Sequence, residues 1–176
     1  MKRKPYFDEI CEHACTELDY RTMVCATTKK RELAGAEYEL FVDVTTFDNY
    51  DEMVEFCQRY FQDEEVLFPY GHNFPDEYIE DGIRFQDIKQ FGSLNKDQKN
   101  AIELYIWLFG VRGVQEILDV YIGTFKTKED AAKYIVENNL CELPNNIKDC
   151  KDYGQVYKSL SDRILVAENC YFFADK

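Results

Sequence analysis

The sequence predicts an α+β protein, drawn out as an elongated chain of two or three small lobes. Three observations predict it. Two strand-like runs followed by an amphipathic helix form an N-terminal β-β-α unit. The middle is broken by Pro69, Gly71, Pro75 and Gly82, which suits turns, short elements and helices better than one regular layer. The last third reads strand, helix, helix, hairpin, a small sheet with helices. The expected divisions are a helical extension over 1–20, an acidic β-β-α lobe over 21–70, an irregular and helical middle over 71–112, and an α+β lobe over 113–176. With 176 residues, 45% of them hydrophobic, including 13 Phe and 13 Tyr, the chain has the material for a core.

Taken in order, Pro5 suits the first turn of a helix running to about Asp19. Phe7, Ile10, Cys11, Ala14, Cys15 and Leu18 recur along it at helical spacing. Cys11 and Cys15 have no second ligand pair at a zinc-like distance, so they read as packing residues. Met23–Thr28 and Glu37–Val44 read as strands, joined by a polar turn over Lys29–Ala36 that uses Gly35. On the second strand Tyr38, Leu40, Val42 and Val44 take one face. Glu37, Glu39 and Asp43 take the other, with Phe41 among them. Acids two apart on a strand lie about 6.6 Å apart, the same order as successive phosphates along a nucleic-acid strand. Asp48 or Asn49 then caps a helix to about Phe61. It buries Met53, Val54, Cys57, Tyr60 and Phe61, and Glu55 is spaced to pair with Arg59.

Asn95 with Gln98 makes a capping box. The helix it opens, to about Phe109, is apolar nearly all round in its second half, as in a helix buried against other elements or another subunit. Gly110 and Gly113 end it, and Val114–Leu118 suits one more short turn of helix. Val120–Phe125 reads as a strand, and Thr127 opens a helix to about Asn139. Tyr153–Leu160 is a last helix, and Ile164–Ala167 and Cys170–Ala174 form a hairpin across Glu168-Asn169.

Charge is distributed unevenly. The chain carries −13, and residues 37–90 carry −12 of it, with fifteen acids against three bases. A surface of this sign is unsuited to phosphates or an anionic leaflet, so direct nucleic-acid and membrane binding are not expected. It attracts basic partners. The acids are Glu37, Glu39, Asp43, Asp48, Asp51, Glu52, Glu55, Asp63, Glu64, Glu65, Asp76, Glu77, Glu80, Asp81 and Asp87. From the residues alone they read either as an ordinary solvated face or as a partner-binding one. Their spacing matches no calcium loop of the EF-hand kind. There is no P-loop and no Gly-x-Ser-x-Gly elbow, and the two histidines leave little for a triad. The sequence therefore gives no specific sign of an enzyme and calls for no cofactor or metal. Seven scattered cysteines and the absence of a leader-like N-terminus suit the reduced cytosol.

From Tyr121 onward an ordered series stands out: Gly123 and Phe125, then Thr127, Glu129 and Asp130 at a helix start, then Leu140, Pro144, and the pair Asp152-Tyr153. It resembles the C-terminal third of the ArdA-type antirestriction proteins, whose closing aromatic strand matches Cys170–Phe173. Upstream, Met23–Thr28 is similar to the family's opening strand, Leu33-Ala34-Gly35 to its leucine-x-glycine turn, and Tyr50–Phe61 to its first acidic helix. The resemblance covers about residues 22–176. It implies a three-lobed, usually dimeric protein without catalysis or cofactor. Its carboxylates would imitate DNA phosphates and occupy the DNA-binding groove of a type I restriction–modification enzyme. Another DNA-binding or otherwise basic protein is the alternative partner. The chain departs from the family at Gly154 and Ser159, where further acids are usual, and at the basic Lys29-Lys30-Arg31. Mimicry would therefore be concentrated in Glu37–Gln90.

Overall fold

A computed structural model describes residues 3–15, 21–35, 40–80, 82–148 and 150–174. The class is α+β, as the sequence predicts, and the chain divides into two compact units, Met1–Leu94 and Asn95–Lys176.

The first unit opens with α1 (Phe7–His13), which ends earlier than expected. None of its residues is buried, Phe7 is 77% exposed and Cys11 is also exposed, so over Phe7–His13 the apolar stripe is not core, and nor is this cysteine. Without an apolar bed to prolong the helix, the chain turns extended at Ala14. β1 (Ala14–Cys15) then uses its backbone to pair with β3 (Leu40–Asp43), in the register Ala14 to Val42 and Cys15 to Phe41. The remainder of the predicted helix, residues 16–19, lies outside the described residues.

β2 (Met23–Thr28) is buried at every position and is the hub of the sheet. It pairs antiparallel with β3 and, along its other edge, with β4 (Val66–Leu67) and β5 (Gly71–His72). The boundary expected between residues 70 and 71 therefore falls inside this sheet, because Gly71 and His72 sit opposite Val24 and Met23. Lys29–Ala36, expected as a polar turn, instead begins with a helix, α2 (Lys29–Leu33). The Thr28 hydroxyl caps it by accepting from the Arg31 N–H at 3.3 Å, and Lys, Arg, Glu and Leu all favour helix.

α3 (Tyr50–Phe61) starts at Asn49, whose side chain accepts from the Glu52 N–H at 3.0 Å, and ends at Gln62 in the left-handed conformation. It buries Met53, Phe56 and Cys57, while Val54, Tyr60 and Phe61 are half-buried. The irregular segment then supplies α4 (Glu77–Glu80) and α5 (Phe85–Gly92). Tyr78, Phe85, Ile88 and Phe91 from these helices complete the core. At Gly92 α5 packs tightly on Thr22 and Thr45. A Cβ there would lie 2.6 Å from Thr45 Cγ2 and 2.8 Å from Thr22 Oγ1.

The second unit contains α6 (Lys96–Phe109), α7 (Val114–Val120), β6 (Tyr121–Thr124), α8 (Lys128–Glu137), α9 (Tyr153–Leu160), β7 (Ile164–Ala167) and β8 (Cys170–Phe173). The capping box is formed: Gln98 N–H donates to Asn95 Oδ1 at 3.0 Å and Asn95 N–H to Gln98 Oε1 at 3.2 Å. The strands run β6-β8-β7, with the expected hairpin turning at Glu168 in the left-handed region. Phe172 lies at the centre of this sheet, fully buried, with Tyr105, Phe109 and Tyr121 around it. The helix expected to be buried against other elements or another subunit is covered only in part within this chain. Ala101, Ile102, Tyr105 and Ile106 face the core, whereas Trp107 is 76% exposed, beside exposed Leu108 and Phe109.

Gly92→Ala should lower stability by about 1–3 kcal/mol through overpacking against Thr22 and Thr45. Denaturant unfolding measures this, and an unchanged midpoint would show that α5 does not make the close approach.

Candidate functional site

The acids segregate with the fold. The unit Met1–Leu94 holds twenty-one acids and ten bases, a net of −11, and Asn95–Lys176 holds thirteen and eleven, a net of −2. On α3 the first turn places Asp51 and Glu52 where the helix dipole favours them, and Glu55 follows one turn on. Asp51 and Glu55 are four apart, hence on one face and about 6 Å apart along the axis. Asp48, Asp51, Glu52, Glu55, Glu64, Glu65, Asp76 and Glu80 are exposed, and Asp63, Glu77 and Asp87 are half-buried. With the described residues, Asp51, Glu64, Asp76, Glu77 and Glu80 make no ion pair.

Several of the predicted acids have local tasks instead. Asp43 is the clearest correction. It is only 6% exposed, and its Oδ1 accepts from the Thr45 N–H at 2.9 Å and the Thr45 hydroxyl at 2.6 Å. That carboxylate caps the 3-10 turn Val44–Thr46 that leads the chain out of β3, so it is not part of an outward face. Glu52 turns back to accept from the Asp48 N–H at 2.7 Å. Asp63 accepts from the Glu65 N–H at 3.1 Å, holding the turn after α3. Asp87 pairs with Arg84 Nε at 3.6 Å. Glu37, Glu39 and Asp81 lie outside the described residues, and so does the Tyr38 half of the predicted alternation.

Arg59 differs from expectation too. Its close partner is Glu9 of α1, which sequence reasoning did not single out. Both carboxylate oxygens are engaged: Nη1 donates to Oε2 at 3.2 Å, and Nη2 makes a short contact to Oε1. Bonding to the guanidinium holds the Glu9 carboxyl below the usual glutamate range, and Glu9 in turn raises Arg59 further. The charge of Glu55 is a smaller contribution to the same rise in Arg59. Fifty residues separate the pair, and no local spacing could signal it. His13 anchors the other end of α1. Its ring stacks on Phe47 at 4.3 Å and meets Phe56 edge-on at 5.1 Å, and Nδ1 lies 2.8 Å from Thr46 Oγ1. The Thr46 hydroxyl already donates to the Asp43 carbonyl, which puts the shared proton on Nδ1 of His13.

Burial pushes the Cys57 thiol up to about 12, and Cys25 and Cys170 are buried as well. Among the described residues no group of three or more His, Cys, Asp or Glu could hold a metal ion, and no helix is long and apolar enough to cross a membrane. The chemistry this arrangement offers is electrostatic: carboxylates displayed on a folded scaffold, able to accept hydrogen bonds from Lys and Arg. No family model, no curated protein and no solved structure matches the chain.

The Glu9–Arg59 pair has a definite pH sign. A depressed carboxyl pKa stabilises the docked helix above the ordinary glutamate value of about 4.3, and the effect is lost as pH falls through the lower folded value. Amide exchange in Phe7–His13 should therefore quicken relative to β2 on acidification below pH ~4. Glu9→Gln should abolish that step, and an identical step in the variant would refute the assignment.

Proposed function

We propose that the protein is a DNA mimic of the antirestriction kind, which competes for the DNA-binding groove of a type I restriction–modification enzyme. The observation that carries this reading is the concentration of a net −11 on one unit, where Asp51 of α3, Glu64 in the turn after it and Glu80 of α4 are exposed and make no ion pair with the described residues. The resemblance to ArdA-type proteins supplies the target class. Lys and Arg side chains that meet phosphates can be satisfied equally by carboxylates held on a rigid frame. The scaffold is suited to this, because α3 buries Met53, Phe56 and Cys57 and so fixes the helix that presents Asp51, Glu52 and Glu55.

The action is competitive binding, with no chemical step and no cofactor, in the cytoplasm where the target works. The near-neutral second unit limits the imitated length of DNA to the first unit, and within that unit the basic α2, with Lys29 and Lys30 exposed, lies outside the imitated stretch. We assign the second unit to self-association as a homodimer. Trp107, Leu108, Phe109 and Val111 are exposed close together in the sequence there, and two second units of −2 meet with far less repulsion than two first units of −11.

Methylation and cleavage by type I enzymes should fall on adding the protein. The inhibition should weaken steeply with salt, and about tenfold or more on joint reversal of Asp51, Glu52 and Glu55 to Lys. Unchanged methylation and cleavage at excess protein, across several type I enzymes, would reject the reading. Retained capture of some other basic nuclease or regulator would then point to the alternative partner. Separately, Trp107→Ser should shift the sedimenting species towards monomer, and a wild-type chain that sediments as a monomer would exclude the dimer.

A further inference from the structure

Between Glu32 and Ile83 the sequence contains a single Lys or Arg, and it is Arg59. It stands on α3, one turn beyond Glu55, on the same helix as the displayed Asp51. Left open, a guanidinium there would oppose any cationic partner approaching that helix. A carboxylate of α3 itself could neutralise it only by being withdrawn from the displayed set. The close partner instead comes from outside, as Glu9 of α1 covers the guanidinium fork with both oxygens. Arg59 Nε is buried without a hydrogen-bond partner, so the cation is already poorly hydrated and depends on Glu9 for compensation.

How α1 is held argues in the same direction. The helix buries none of its own residues. It is kept in place by the Glu9–Arg59 pair, by the His13 contacts with Thr46, Phe47 and Phe56, and by the pairing of β1 with β3. Its contribution to the core is the His13 ring against Phe47 and Phe56. It does bring charge: Asp8 and Glu12 are exposed on it while Glu9 is occupied.

We propose that α1 serves the acidic surface through Glu9, the positioning residue that masks Arg59, the one cation in this run of the sequence. This rests on the mimic reading and extends it to a segment that the family resemblance, which begins near residue 22, does not reach. The partner it suits is a surface of lysines and arginines.

The test is a double-mutant cycle read against two targets: a labelled oligolysine peptide, and DNA competition for a type I methyltransferase. Glu9→Gln should weaken both about two- to fivefold at low salt, the range expected for one unmasked charge at a partly screened surface. Adding Arg59→Gln should restore affinity to near the wild-type value. The double variant has no ion pair to hold α1, so recovery would come from charge and not from structure, and amide exchange in Phe7–His13 would confirm that α1 stays loosened. Equal binding by Glu9→Gln and wild type, or a double variant as weak as Glu9→Gln, would overturn the proposal. If the oligolysine cycle behaves as expected while wild-type protein leaves the methyltransferase untouched, masking stands and the antirestriction target falls.

Discussion

A unit of 94 residues with a net charge of −11 repels itself, and what offsets that repulsion is β2. Every residue of Met23–Thr28 is buried, and its two edges hold β3 on one side and β4 and β5 on the other. The acids can crowd the exterior because this strand ties together segments from residue 23 to residue 72 without using a charge. α3 lies against the same strand and fixes its outer carboxylates by burying Met53, Phe56 and Cys57. Display of charge on the outside therefore depends on an apolar hub within.

Much of this was legible in the sequence where local rules decide the outcome. The run Met23–Thr28, the Asn49 cap of α3, the Asn95–Gln98 box, the Thr127 start of α8 and the final hairpin each carry their own signal within a few residues. Non-local terms hid the rest. Nothing near Ala14 announces that its backbone would pair with Val42, so the first helix was expected to run on. Gly71-His72 is too short to read as a strand until β2 offers it an edge. Lys29-Lys30-Arg31 reads as turn by polarity, but the Thr28 cap makes it a helix.

The same division holds for the surface. Composition located the acidic segment, and helical spacing put Asp51 and Glu55 on one face. It could not separate displayed carboxylates from employed ones. Asp43 fits the outward alternation of its strand, yet the chain turns at Val44 and draws it in as a cap. Glu9, from a part of the chain with no charge excess, completes the surface by covering Arg59. Charge count marks where such a face lies, whereas the ion pairs and caps determine which of its acids remain for a partner.

The central claim is that the first unit takes the place of DNA in a basic groove. Carboxyl-to-lysine crosslinking of the protein bound to a type I methyltransferase tests it most directly. The crosslinks should run from the Asp48–Glu65 segment and α4 to lysines that otherwise contact DNA, and saturating DNA should abolish them. Crosslinks arising mainly from the second unit, or a complex that still accepts DNA, would contradict the account.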